Sequence, residues 1–362
     1  MMPAIAIYPG MRGSVHLSEL PVPAPGPTEA LVRVRRVGVC GTDRELIEAK
    51  LGRPPAGLSE LVLGHEVLGV VEAVGDAVRS VKPGDLVTAT VRRPDGCPAC
   101  QAGQPDLCLW RQYMERGIVG AHGYMVERFA EDERYLIPVP AALESVGVLV
   151  EPLSVVEKAV RQADLIQTRV RSWAPATALV LGAGPIGLLG ALLLRARGLA
   201  VVVVARRPAP NPPAAIVEAC GARYVSVQET PLPELVATLP NIDLVLEATG
   251  VSALVIEAMG AVGNNGVLVL LSITGGTDRL SVPANAINRD FVLGNKVMVG
   301  SVNSAREDFE AGVRHLAAFE DHWPGLTARL ITHRLRGFAD AAMIEERAAD
   351  GIKTVIEMRD ED

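Results

Sequence analysis

Cys40 in the run GVCGTD, and His65 with Glu66 in LGHEVLGVVEAVG, offer a thiolate, an imidazole and a carboxylate. Sulfur, nitrogen and oxygen donors in that mixture suit Zn2+. A lone cysteine or histidine is more often core or surface, but these stand beside glycine-rich turns in a chain that also carries a nucleotide-binding signature. One chemistry open to a metal and a nucleotide together is hydride transfer from an alcohol. The hydroxyl proton must leave, and an ordinary alcohol is far too weak an acid to lose it near neutrality. A bound cation stabilises the developing alkoxide, much as it lowers the pKa of bound water from about 15.7 to about 7, while a nicotinamide takes hydride from the same carbon. Thr42, two residues after Cys40, can hydrogen-bond that oxygen and pass its proton outward; the other reading is a hydroxyl that serves its own turn.

The nucleotide signature is ALVLGAGPIGLLGALLL. Gly182, Gly184 and Gly187 stand in G-x-G-x-x-G spacing, with Pro185 and Ile186 between the last two, directly after an apolar strand and opening a helix. The first two glycines allow a tight turn and close backbone approach, the third lets helix and strand touch, and the helix N-terminus presents N–H donors to a pyrophosphate. The next strand, AVVVVA, ends at Ala205, Arg206 and Arg207, where NAD enzymes usually carry an acid for the ribose hydroxyls. Two guanidiniums there can pair with a 2′-phosphate that an acid would repel. The residues therefore favour NADP, with NAD as the second choice and two solvated surface arginines as the bland alternative. Thr249 and Ser272 fall at the ends of later strands, on the carboxyl edge of the sheet where ligands bind.

These groups need elements to hold them. A chain of 362 residues implies two domains on a prior of roughly 100 to 200 residues each. Half the residues are apolar but only 4% aromatic, so the interior must be built from aliphatic side chains. Up to about residue 140, short β-type runs such as ALVRVRRVGV and LGVVEAVG are broken by turns like PVPAPGP and KPGD. From Ala178 to about Gly300, the runs ALVLGAG, AVVVVA, IDLVLEATG and GVLVLLS alternate with helical stretches, which predicts a parallel sheet. The terminal run KTVIEM reads as a strand that returns to the first domain.

Composition excludes several other functions. The net charge of −7 is spread without a basic block, which argues against nucleic acid or an anionic membrane as partner. The N-terminus lacks the pattern of a secretory signal, so a cytoplasmic location is expected. The apolar run from Ala178 to Leu194 is broken by glycines and reads as strand, turn and helix rather than a membrane span. Five cysteines, an odd number, favour metal ligation over a disulfide framework, with Cys220 as buried packing.

The GHE at Gly64 to Glu66 followed by G-x-V-x-x-V-G, ending at Gly75, resembles the medium-chain zinc alcohol dehydrogenase superfamily, over nearly the whole chain. The runs RRPDGCPAC, ERGIVGAHGYM, VEPLSVVEKA and NKVMVGSVNS resemble its glucose dehydrogenase branch more than the ethanol or threonine branches. The resemblance implies an α/β chain with a mostly β GroES-like catalytic domain, residues 1–176 completed by 301–362, and a Rossmann doubly wound parallel-sheet domain, residues 177–300. It implies a catalytic zinc on Cys40, His65 and Glu66 with Glu151 at or near the metal, the two carboxylates exchanging with water. An internal ion pair for Glu66 and a helix N-terminal acid for Glu151 are the alternatives. Thr42 and Glu66 would be the catalytic groups. Thr42, Glu115, Glu151 and Asn303 would hold the sugar, and Lys353 would lie near the cofactor. Glu115 reads equally as a solvated loop charge and Asn303 as a residue serving its own turn.

Cys97, Cys100 and Cys108 resemble a lobe that carries a structural zinc on four cysteines in many relatives. A further thiolate is missing near Pro94, so such a zinc would need Asp95 or another group, and a metal-free lobe of reduced thiols is the alternative. The implied reaction is zinc-dependent oxidation of the C1 hydroxyl of glucose or another aldose to the lactone, with hydride transfer to NADP. A polyol, threonine or simple alcohol dehydrogenase is the nearest competitor, and a non-catalytic NADPH-binding protein the competitor from another class. A homodimer or homotetramer is expected from the same resemblance.

Overall fold

The computed structural model describes residues 1–275, 277, 279–345 and 351–358. The chain forms two compact units, Met1–Ser154 with Asn303–Ala317 and Ile331–Asp362, and Val155–Val302 with Ala318–Leu330.

The first unit is mostly β, as its short alternating runs predict. Along Glu29–Val39 the burial alternates through Ala30, Val32 and Val34, which puts one face of the strand into an aliphatic core. Its neighbours are Glu66–Val74 and Arg128–Asp132, both antiparallel, and Lys353–Glu357 on the other edge. Leu136–Pro138, Leu86–Ala89 and Ile331–Arg336 complete this seven-stranded sheet. The core beneath is built from residues such as Ile5, Ile7, Val37, Leu63 and Val67, with Tyr124 and Phe129 as its aromatic pair, ring centroids 4.6 Å apart. Each such aliphatic side chain stabilises the unit by about 1.5–3 kcal/mol when fully buried. A small three-stranded sheet of Arg92–Arg93, Met114–Arg116 and Gly120–Ala121 stands apart from the large one.

The second unit carries a six-stranded parallel sheet. Its order is Arg223–Ser226, Ala200–Ala205, Thr177–Leu181, Leu244–Glu247, Val267–Leu270 and Val297–Gly300, so the chain runs outward in both directions from the first strand. Such an order places the ligand-binding edge where the strand sequence reverses, at the ends of Thr177–Leu181 and Leu244–Glu247. All four runs predicted as strands lie in this sheet, and the central ones are buried throughout, as a parallel sheet covered on both faces requires. The edge strand Arg223–Ser226, with Arg and Ser among four residues, carries too little apolar signal to be seen from sequence. Among the described residues no helix is long and apolar enough to cross a membrane.

Candidate functional site

Register places the thiol and the imidazole. Glu29–Val39 and Glu66–Val74 pair antiparallel with Gly38 opposite Glu66, so the residue leaving one strand, Cys40, and the residue entering the other, His65, emerge together. Cys40 Sγ lies 3.1 Å from His65 Nε2. Glycine is required at 38, because a Cβ there would sit 1.9 Å from Glu66 Oε2. Cys40 caps the helix Gly41–Ile47: its Sγ accepts the Thr42 N–H at 3.2 Å, and the Asp43 carboxylate accepts the Cys40 N–H at 2.9 Å. The other oxygen of the buried Asp43 stands 3.7 Å from His65 Nδ1, too far for a hydrogen bond but close enough to act by charge. Burial works against a charged ring, yet Cys40 and Asp43 outweigh it and hold the His65 pKa well above its ordinary value.

Glu66 and Glu151 bring two carboxylates to the same histidine. Ligand atoms of His65, Glu66 and Glu151 lie within 4.8 Å of one another, as do those of Cys40, Asp43 and His65, the two groups sharing the imidazole. Glu151 stands in the first turn of the helix Val150–Gln167. Burial pushes its carboxyl up to about 7, against the pull of His65 and with the added push of Glu66. Glu66 is ion-paired to Lys353, with side-chain exposures of 2% and 1%. Lys353, expected near the cofactor, opens the strand Lys353–Glu357, whose Val355 pairs with Gly38 on the far side of the ladder. Burial would discharge this lysine, but Glu66 outweighs burial and raises its pKa. Three acids, Asp43, Glu66 and Glu151, and a thiol thus face one ammonium and one imidazole in a buried place. That surplus of negative charge, on a sulfur, nitrogen and oxygen donor set, fits a divalent cation of the zinc type. Thr42 is partly buried, its backbone N–H bonded to Cys40 Sγ and its hydroxyl without a protein partner among the described residues.

Glu115 and Asn303 form a second polar cluster in the same unit. Arg92 lies directly opposite Glu115 in the pairing of Arg92–Arg93 with Met114–Arg116. Its Nε and Nη2 donate to Glu115 Oε1 at 3.0 and 2.9 Å, and Asn303 Nδ2 donates to the same oxygen at 3.0 Å. Glu115 is therefore a buried, paired carboxylate and not a solvated loop charge. Asn303 adopts a left-handed backbone, φ 62°, and its amide reaches across the fold to Glu115. A carboxylate only accepts, so the amide nitrogen must face it, which leaves Asn303 Oδ1 buried without a partner. Glu115 Oε2 likewise has no protein donor among the described residues. The cluster is tied to the donor set through Gly117, whose Cβ would lie 2.4 Å from the carbonyl oxygen of Gly64, the residue before His65. Two open acceptors on residues bonded to each other suit a ligand rich in hydroxyl donors.

In the cysteine lobe, ligand atoms of Asp95, Cys97, Cys100 and Cys108 lie within 4.8 Å of one another. Asp95 accepts the Cys108 thiol at 2.9 Å, the Cys100 thiol at 3.4 Å and the backbone N–H groups of Cys97 and Gln112 at 3.0 Å each. These bonds, that from Cys108 first, hold its carboxyl well below the usual range. All five cysteines of the chain are free thiols.

The glycine-rich turn belongs to the second unit. Gly182 has φ 107°, and a Cβ on Gly187 would fall 1.9 Å from the Gly182 carbonyl oxygen, so strand and helix meet through bare backbone. Gly184 caps the helix Pro185–Ala196, with Pro185 at its first position and Ile186 after it, and nothing lies within 4 Å of where its Cβ would be. The turn abuts the end of Leu244–Glu247: a Cβ on Gly182 would be 2.9 Å from the Ala248 carbonyl oxygen. Thr249 donates its N–H to Glu247 at 2.7 Å, and its hydroxyl also bonds that carboxylate. Ser272, half-buried, follows Val267–Leu270. Arg206 and Arg207 are exposed just past Ala200–Ala205, their carbonyls accepting the hydroxyls of Ser226 at 2.8 Å and Tyr224 at 2.7 Å.

Sequence reasoning passed over Asp43, Arg92 and the Lys353–Glu66 pair. Asp43 carried a legible signal, an acid three residues after a helix cap. The other two depend on strand register, which nothing local encodes.

Residues 144–358 match the family described as "Glucose dehydrogenase C-terminus", and residues 26–141 match "Alcohol dehydrogenase GroES-like domain". The glucose 1-dehydrogenase of Methanocella arvoryzae is 46% identical over 337 residues, covering 92% of this chain and 94% of that protein. Glucose 1-dehydrogenase 1 of Caldivirga maquilingensis is 40% identical and is covered, like this chain, to 99%. Among solved structures, glucose dehydrogenase of Haloferax mediterranei in complex with NADP, Zn and gluconolactone matches with a TM-score of 0.91 at 37% identity, over 99% of this chain and 100% of that one.

Proposed function

Because the chain belongs to the glucose dehydrogenase family, we propose that it oxidises the C1 hydroxyl of glucose to the lactone, passing hydride to NADP. The observation that carries this reading is the pair of open acceptors, Glu115 Oε2 and Asn303 Oδ1, in the unit that also holds Cys40, His65, Glu66 and Glu151. A sugar presents several hydroxyl donors, and a site with unpaired acceptors, one of them the buried Asn303 Oδ1, favours ligands that fill them.

In this reading Cys40, His65, Glu66 and Glu151 would hold a Zn2+ ion, which when bound would supply the Lewis acidity that lets the substrate hydroxyl ionise. Gly182, Gly184 and Gly187 would hold NADP, with Arg206 and Arg207 available to its 2′-phosphate, and the bound nucleotide would supply the hydride acceptor. The chain's own groups do the remaining work. Thr42 takes the hydroxyl proton and relays it outward. Lys353 neutralises Glu66, so Glu151 is the carboxylate free to serve the metal at rest. Glu115 and Asn303 orient the ring. Asp43 steadies His65 by charge.

The test is zinc content together with NADPH formation on a panel of aldoses, polyols and simple alcohols, each with NADP and with NAD. We expect about one or two zinc ions per chain, activity with glucose, and a preference for NADP. Turnover of polyols or simple alcohols with none on aldoses would overturn the substrate assignment.

We also read the protein as a homodimer. Val297–Gly300 is one of the two edges of the parallel sheet among the described residues, and the exposed Met298 on it and Leu293 on the helix Ala284–Gly294 leave apolar surface there. The free thiols suit a reducing compartment, the cytoplasm.

A further inference from the structure

We propose that Arg92 is a positioning residue for sugar binding, acting through Glu115; the proposal rests on the aldose reading above. A guanidinium facing a carboxylate ordinarily spreads two parallel bonds over both oxygens. Here both donors, Nε at 3.0 Å and Nη2 at 2.9 Å, converge on Oε1, and Asn303 Nδ2 adds a third bond to that same oxygen. Oε1 is saturated while Oε2 is left open. The carboxylate is thereby turned so that one oxygen serves the protein and the other is kept for a ligand.

Arg92 is held firmly enough to impose that turn. It is 4% exposed, its Nη1 donates to the carbonyls of Pro105 at 3.3 Å and Asp106 at 3.2 Å, and the Tyr113 ring stacks on it at 3.7 Å. The cross-strand pairing of Arg92 with Glu115 sets the approach from the backbone. Four bonds from one planar fork cannot be copied by an ammonium, so lysine at this position keeps the charge and loses the orientation. Asn303 depends on the same arrangement. Its Nδ2 finds Oε1 only while Arg92 holds the carboxylate there, and Asn303 Oδ1 is aimed by that bond.

The experiment is a double-mutant cycle on the zinc-loaded enzyme, with Arg92→Lys, Glu115→Gln and both together, read as kcat and KM for glucose. Arg92→Lys should raise KM on the order of tenfold, about 1.4 kcal/mol, while kcat falls less than about threefold. NADP affinity and zinc content should stay at the unmutated values. In the Glu115→Gln background, adding Arg92→Lys should change KM by less than about twofold, because the carboxylate it orients is gone. If Arg92→Lys does not fold, Tyr113→Leu removes the stack and leaves every hydrogen bond in place, and should raise KM by about threefold. An unchanged KM in the folded variant, or equal effects in both backgrounds, overturns the proposal and makes Arg92 merely structural. Failure of the unmutated enzyme to oxidise any aldose would instead sink the functional reading, and this proposal with it.

Discussion

His65 carries the densest set of relationships among the site residues. Its Nε2 meets the Cys40 thiol, and its Nδ1 faces Asp43, a carboxylate buried to 0% exposure. A carboxylate close behind a ligating imidazole raises its basicity by charge. Asp43→Asn should therefore weaken zinc binding by about 10–100-fold, measured by competition with a chromogenic chelator; an unchanged affinity would mean that the 3.7 Å gap is too wide for the charge to matter. Residue types made Cys40, His65 and Glu66 legible in the sequence, because sulfur, imidazole and carboxylate beside tight turns have few other uses together. Glu115, Glu151 and Asn303 were reached only by resemblance, since they stand far apart in the chain and look ordinary alone. Lys353 too was reached by resemblance, as a residue near the cofactor, and Arg92 not at all; strand register is what sets each against one glutamate.

At the scale of elements, the glycine-rich turn separates folding from binding in two neighbouring positions. Gly187 lies under the Gly182 carbonyl, so Gly187→Ala forces strand and helix apart and should cost about 1–3 kcal/mol of stability. Gly184 has φ −81° and open space where its Cβ would be, so Gly184→Ala should leave stability within about 0.5 kcal/mol of the original yet weaken NADP binding. Thermal unfolding and titration of NADPH fluorescence distinguish the two. Equal loss of stability in both variants would mean that the turn is purely architectural. The long apolar strands of this unit were readable because a parallel sheet buried on both faces has no alternation to obscure. The two-residue strand Arg92–Arg93 and three-residue Met114–Arg116 were not, being short, charged and held by side-chain bonds rather than by an apolar face.

For the whole molecule, the exposed edge of the parallel sheet makes a claim about assembly. Leu293 is 75% exposed, so Leu293→Lys should leave folding almost untouched while converting a dimer to a monomer, as read by light scattering on a sizing column. A dimer that survives the change would move the interface elsewhere. The path of the chain has a different consequence. Lys353–Glu357 closes the edge of Glu29–Val39, and the Arg36–Glu357 contact beside it spans 321 positions. At roughly 5–20 residues per second of synthesis, the ribosome delivers that strand some tens of seconds after its partner. Through that interval the nascent sheet has an unpaired border, and Glu66 waits without the ammonium that neutralises it. One short strand thus completes both the pairing of the sheet and the charge balance around Glu66.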